Sequence, residues 1–162
     1  MKKWILIIIG LLGVDQLAKY LVNAHFTYEG ETVPVIQNFF HITYVRNPGV
    51  VFGLGGDTGI PYFFLIGVAI LAGLAFGYML YKNDFTDKRT IWYVLALSLL
   101  IAGSFGNAID RVAQFDHKVV DFIDFRGIWN YVFNIADMCL TVGIGVFIVD
   151  QLFLEPKRTK SK

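Results

Sequence analysis

Four apolar stretches organise this chain. Trp4 to Val22, Pro61 to Tyr81, Thr90 to Ile109 and Tyr131 to Val149 each approach the roughly 20 residues a helix needs to cross a bilayer. The second and third carry no charged residue. The fourth is interrupted by Asp137, and the first carries Asp15 and Lys19 in its second half. The pattern predicts one integral membrane domain over residues 1–162. It is an all-α bundle of four transmembrane helices, spanning about 4–22, 61–81, 90–110 and 131–150. The first stretch also imitates a signal peptide. Lys2 and Lys3 precede an apolar run, and Val22-Asn23-Ala24 is loosely like a cleavage site. A charged pair inside the run argues for a retained span.

Between the first two spans the pattern changes. Thr32-Val33-Pro34-Val35-Ile36 and His41-Ile42-Thr43-Tyr44-Val45 are rich in β-branched and aromatic residues. The second run alternates with a period near two, as a half-exposed strand does. A small extracytoplasmic β-rich segment is expected over about residues 28–53. Arg46-Asn47-Pro48-Gly49 and Gly53-Leu54-Gly55-Gly56-Asp57 supply its turns. Ala69, Gly73 and Gly77 on the second span, and Ala102 and Gly106 on the third, recur every fourth residue. That spacing reads as close helix packing in lipid.

Composition agrees with the pattern. Hydrophobic residues make up 56% of the 162 and charged residues 17%, against about 25% charged in a soluble domain. Mean hydropathy is +0.56. A net charge of +1 gives no field for nucleic acid, and a single cysteine, Cys139, excludes an internal disulfide. No His, Cys or carboxylate cluster has metal-binding spacing, so neither metal nor cofactor is expected.

Lys and Arg set the orientation. Nine of them (Lys2, Lys3, Lys82, Lys88, Arg89, Lys157, Arg158, Lys160 and Lys162) fall on one side of a four-span chain. Arg46, Arg111, Lys118 and Arg126 fall on the other. Both termini are therefore expected in the cytoplasm, with residues 25–59 and 112–130 outside.

Polar residues inside the spans carry the functional argument, because each charge at mid-bilayer costs about 2.5–3.5 kcal/mol on insertion scales. Asp15 and Lys19 are four apart and share a helix face. Asn107, Asp110 and Arg111 share another, and Asn134, Asp137 and Thr141 form a third stripe. At about 1.5 Å of rise per residue, Asp110 lies about 28 Å along the third span. Asp137 lies about 9 Å into the fourth from its outer end. Asp121 belongs to the outer segment between those spans and reads as a loop residue. The acids, with Lys19 and Arg111, are thus placed at one depth near the outer interface.

Two close carboxylates cannot both ionise easily, so one keeps a proton near neutral pH while its partner can activate water. That is peptide hydrolysis without a metal or a covalent intermediate. Mutual neutralisation is the plain alternative for Asp15, Lys19, Asp110 and Arg111. A Ser104–Lys19 dyad is conceivable, but no histidine lies at membrane depth. Four spans with an intramembrane acid also suit a small proton-coupled transporter, although carriers favour midplane sites and internal repeats. A non-catalytic scaffold would leave Asp137, Asn107 and Asn134 without a purpose.

Taken together, these residues resemble a known family. Asp15-Gln16-Leu17-Ala18-Lys19 is similar to the D-x-x-x-K of bacterial lipoprotein signal peptidases (signal peptidase II). Arg46-Asn47-Pro48-Gly49-Val50-Val51-Phe52-Gly53 is similar to their N-x-G-x-x-F/W-G. Gly106-Asn107-Ala108-Ile109-Asp110-Arg111 resembles G-N-x-I-D-R. Val119-Val120-Asp121-Phe122-Ile123 resembles V-V-D-F-I, and Phe133-Asn134-Ile135-Ala136-Asp137 resembles F-N-x-A-D. Each motif is short, but all five occur in order across nearly the whole chain.

The resemblance implies an aspartic endopeptidase of the bacterial cytoplasmic membrane, active near its outer face. Such enzymes cut prolipoproteins before a diacylglyceryl-modified cysteine. By position, Asp121 and Asp137 would be the catalytic pair. Asn47, Gly49, Asn107, Asp110, Arg111 and Asn134 would shape the site, with Asp15 and Lys19 bracing it. Membrane lipid and lipidated prolipoproteins would be its partners, and the default assembly is a monomer. The chain departs from the pattern at Val50-Val51, where a small pair is common, and at His117-Lys118, where a glycine often stands. It departs also at Met138-Cys139, where small polar residues are frequent.

Overall fold

The computed structural model describes residues 1–49 and 60–160. Four helices are long and apolar enough to span a membrane, and a three-stranded antiparallel sheet caps one end of the bundle. Helix α1 covers Lys2–His25, α2 Tyr62–Lys82, α3 Ile91–Ala113 and α4 Ile135–Val149. The strands are β1 (Thr32–Ile36), β2 (Phe40–Asn47) and β3 (Val119–Phe125), in the order β1-β2-β3. Both terminal segments lie at the end of the bundle opposite the sheet.

Helix α3 is the axis. Of its most apolar 18-residue window 61% is buried, against 17–22% in the other three, whose large side chains mostly face outward. Leu6 on α1 and Leu71 on α2, each 69% exposed, are typical. Such surfaces are stable only where lipid replaces water. At the terminal end Trp4, Leu80, Val94, Leu97 and Ile101 pack together. At the sheet end Val22 of α1 and Phe26, its C-cap, meet Val120 and Phe122 of β3. That contact seats the sheet on the bundle.

Glycine sets how closely α3 approaches its neighbours. A Cβ on Gly103 would stand 2.5 Å from the Ala136 carbonyl oxygen, and one on Gly106 would stand 2.8 Å from Asp15 Oδ2. Gly103 and Gly106 thus bring α4 and the α1 carboxylate against the α3 backbone, and of the two only Gly106 belongs to the every-fourth stripe. On α2 the same spacing has mixed use: a Cβ on Gly73 would strike the Phe105 ring, whereas Gly77 faces open space.

Two features differ from the expectation. Asp121 is in a strand rather than a loop. Strand β3 pairs with β2, setting Asp121 against Val45 and Val119 against Asn47. Its Val-Val-Asp-Phe-Ile-Asp-Phe sequence has the β-branched and aromatic content of a strand, but its pairing partner lies some 75 residues earlier in the chain. Next, α4 begins at Ile135 and not near Tyr131, because Phe133 pairs with Ile123 and Asn134 caps the helix. Strand β2 ends at Asn47, within the expected Arg46–Gly49 turn, while the turn residues Gly53 to Asp57 lie outside the described residues, as do Val50 and Val51. Beyond α4 the backbone makes one π-helical turn, Asp150–Leu154, into α5 (Glu155–Lys160). There Arg158 grips the fully buried Asp150 through both carboxylate oxygens, at 2.7 and 2.6 Å.

Gly103→Ala is expected to lower stability by about 1–3 kcal/mol, as overpacking does. Gly77→Ala is expected to be neutral. Thermal unfolding of both variants in the same detergent checks this, and equal midpoints would refute the close-approach account.

Candidate active site

The site begins with one ammonium group. Lys19 Nζ lies 2.9 Å from Asp15 Oδ2 and 3.2 Å from Asp110 Oδ2, and donates to Asn107 Oδ1 at 3.1 Å. All three residues with charge are at most 2% exposed. Three partners use the three hydrogens of an ammonium, so the Ser104–Lys19 dyad is not formed. Mutual neutralisation of Asp110 by its neighbour Arg111, the plain alternative for these residues, is not formed. Asp110 faces Lys19, while Arg111 donates to the carbonyls of Gly49 and Asn107.

The two carboxylates beside Lys19 also reach backbone. Asp15 Oδ1 accepts from Ala136 N at 2.9 Å, and Asp110 Oδ2 accepts from Val120 N at 3.0 Å. Ala136 precedes Asp137 and Val120 precedes Asp121. One buried ion cluster therefore grips the chain next to each candidate aspartate. Gln16 completes it, its two Nε2 hydrogens shared among Asp15 Oδ2, Gly106 O and Asp110 Oδ1 at 3.0–3.1 Å. Sequence reading passed over Gln16. Its signal was available: an amide inside an apolar span, three residues before Lys19.

Asn134 was expected on the helical stripe of Asp137. It is instead the N-cap of α4. Its side-chain oxygen accepts from Asp137 N at 2.9 Å, and Asp137 Oδ2 accepts from Asn134 N at 3.3 Å. This reciprocal pair satisfies two otherwise orphaned donors and fixes where the Asp137 side chain starts. The Asn134 amide then donates to Asp121 Oδ1 at 2.6 Å. Asn47, at the end of β2, donates to Asp121 Oδ2 at 2.8 Å and accepts from Gly49 N. Asn107 donates to Asp137 Oδ1 at 2.8 Å. Three asparagine amides thus hold two aspartates that come from a strand and a helix start.

Asp121 is 1% exposed and Asp137 8%. Burial first, and then the nearby Asp137 charge, raise the Asp121 carboxyl, to about 7 in all. The Asn47 and Asn134 amides and Lys19 oppose both effects. Both carboxylates line a cavity of about 310 Å³ between α2, α3 and α4. Leu65, Val68, Ala72, Leu140 and Ile144 make its walls largely apolar. A second apolar cavity, about 380 Å³, reaches Asp137 from the side of Phe125, Trp129, Phe133 and Met138. Among the described residues no group of three or more His, Cys, Asp or Glu is arranged to hold a metal.

Comparison with known proteins follows the same line. The family model for signal peptidase (SPase) II matches residues 7–153. A lipoprotein signal peptidase of Clostridioides difficile is 46% identical over 154 residues, covering 95% of this chain and 97% of its own. One from Fusobacterium nucleatum is 40% identical over 159 residues, 96% of this chain and 89% of its own. A solved bacterial membrane enzyme matches 100% of this chain and 92% of its own with a TM-score of 0.82 at 34% identity.

Lys19→Met strands two buried carboxylates and is expected to cost about 3–5 kcal/mol. Asp110→Asn keeps the Asp15–Lys19 pair and an acceptor for Val120 N, and should cost less, about 1–3 kcal/mol. Unfolding midpoints in detergent give the order, and a reversed order would refute the cluster as described.

Proposed function

The chain belongs to the signal peptidase II family, and from that premise we propose that Asp121 and Asp137 are its catalytic pair. The protein is a multi-pass bacterial membrane aspartic peptidase that processes lipoproteins. One observation carries the assignment of the pair: two buried carboxylates, each held by asparagine amides, line the same apolar-walled cavity. The transporter alternative has no support, since the matching family is one of peptidases.

In this reading the pair shares one proton and titrates as a unit. Asp121 holds that proton near neutral pH and donates a hydrogen bond to the scissile carbonyl oxygen. Asp137, the ionised member, takes a proton from water as the hydroxyl adds to the carbonyl carbon. The tetrahedral species collapses when Asp137 passes that proton to the amide nitrogen and the C–N bond breaks. The signal peptide leaves with a new carboxylate and the cysteine with a free amine. Arg111 fastens Gly49 beside the pair, and Asn107 and Asn134 keep each carboxylate aimed.

The substrate chemistry fits the two cavities. A diacylglyceryl cysteine joined to a signal helix has two apolar arms meeting at one peptide bond. The cavity between α2, α3 and α4 suits one arm, and the apolar cavity behind Asp137 suits the other. The excess of Lys and Arg at the terminal end puts that end in the cytoplasm. The sheet and the pair then lie at the outer face, where a lipid-anchored cysteine is presented. Membrane lipid surrounds the exposed apolar helix faces, and the chain acts as a monomer.

Cleavage of a purified prolipoprotein in detergent, with and without diacylglyceryl modification, tests the reading. Only the lipidated form should be cut. Asp121→Asn and Asp137→Asn should each lower the rate by about 10²–10⁴-fold or more with insertion intact. Full activity in either variant would remove the pair. Activity should also fall as pH rises through about 7, where Asp121 loses its proton. Asn47→Ala removes a donor that favours the ionised Asp121, so this alkaline limb should move to higher pH. A limb that stays fixed or moves down would refute the proton assignment.

A further inference from the structure

The corner between α3 and β3 carries a contact that the proposed chemistry does not use. His117 holds a left-handed backbone with φ 57°. Side chains other than glycine adopt this region rarely, and do so where their surroundings over-determine them. Two contacts do so here. The His117 ring lies flat on Tyr62, with centroids 3.9 Å apart and planes 9° from parallel. Its Nδ1 lies 2.8 Å from the Arg111 carbonyl oxygen, which can only accept, so Nδ1 donates.

These partners are not neutral ground. Tyr62 is the first residue of α2, the helix that contributes Leu65, Val68, Ala69 and Ala72 to the wall of the main cavity. Among the described residues the start of α2 has no side-chain cap, and Leu65 is the one buried side chain in its first two turns. Arg111, whose carbonyl takes the His117 hydrogen, lines the same cavity. A glycine at position 117 would satisfy the backbone without strain but would provide no ring and no Nδ1 donor.

We propose that His117 is a positioning residue: by stacking on Tyr62 it fixes the α2 wall of the cavity at the sheet end and so sets how tightly the apolar segment of the substrate is held. This rests on the peptidase reading above. The contact acts on substrate affinity and leaves the chemical step to the carboxylate pair.

The test is steady-state cleavage of lipidated prolipoprotein in detergent by the full chain, with unfolding midpoints measured alongside. His117→Gly relieves the backbone and should fold. Its KM should rise about three- to tenfold, the range one stacked aromatic pair covers, while kcat stays within about twofold. His117→Asn tolerates the left-handed backbone and keeps a donor but lacks the ring, and should behave like His117→Gly. Tyr62→Ala should show the same rise, and Tyr62→Phe, which keeps a ring, should retain the wild-type KM. The double variant Tyr62→Ala with His117→Gly should be no worse than either single one, since both remove one interaction. An unchanged KM in His117→Gly overturns the proposal. So does full recovery in His117→Asn, or additivity in the double variant. If the unaltered protein cuts no lipidated prolipoprotein, the peptidase reading itself fails and takes this proposal with it.

Discussion

A single lysine ammonium, buried between two aspartates, is the constraint from which the rest of the site follows. Lys19 meets Asp15 on its own helix and Asp110 on α3. Each carboxylate spends a lone pair on the backbone N–H just before a member of the proposed catalytic pair. A charge taken out of water must be paired and hydrogen-bonded, or it costs several kcal/mol. The cluster meets that requirement only when α1, α3, β3 and α4 are all in register. Electrostatic necessity therefore acts as a geometric clamp, and the proposed pair inherits its position from it.

Close packing makes the clamp possible. Gly106 allows Asp15 to lie against the α3 backbone, and Gly103 allows the start of α4 to do the same. Larger residues would lift both away from Lys19 and Asn107. These two glycines thus do more than pack helices in lipid. They bring a carboxylate and a helix N-terminus within hydrogen-bond range of one central helix.

The asparagines divide the remaining work. Ionised carboxylates only accept, so two neighbouring ones need donors that add no charge. Asn47, Asn107 and Asn134 supply amides to both aspartates, and their oxygens accept from Gly49 N, Lys19 and Asp137 N in turn. The amides restrain the carboxylates without fully neutralising their repulsion. Asp121 accordingly has its carboxyl near neutral pH despite receiving two amide donors. Apolar walls on both sides keep the local dielectric low, which strengthens each of these contacts.

Much of this was legible in the sequence because the bilayer is a severe solvent. It demands apolar runs of a fixed length and penalises every buried charge, so the four spans and the polar positions Asp15, Lys19, Asn107, Asp110 and Asp137 stand out as exceptions. Helical spacing alone paired Asp15 with Lys19. Three things were decided only by tertiary contacts. Asp121 joined a strand because β2, far away in the chain, offered it a partner, and strand pairing is a long-range choice that local pattern does not encode. Asn134 became a cap because Phe133 paired back to Ile123 and delayed the helix. Asp110 turned from its neighbour Arg111 to Lys19 on another helix, because adjacent helical residues point in different directions and the nearest charge lay across the packed α1–α3 interface. Periodicity and solvent chose which residues would be polar in the membrane; the packing of the helices chose which of them would meet.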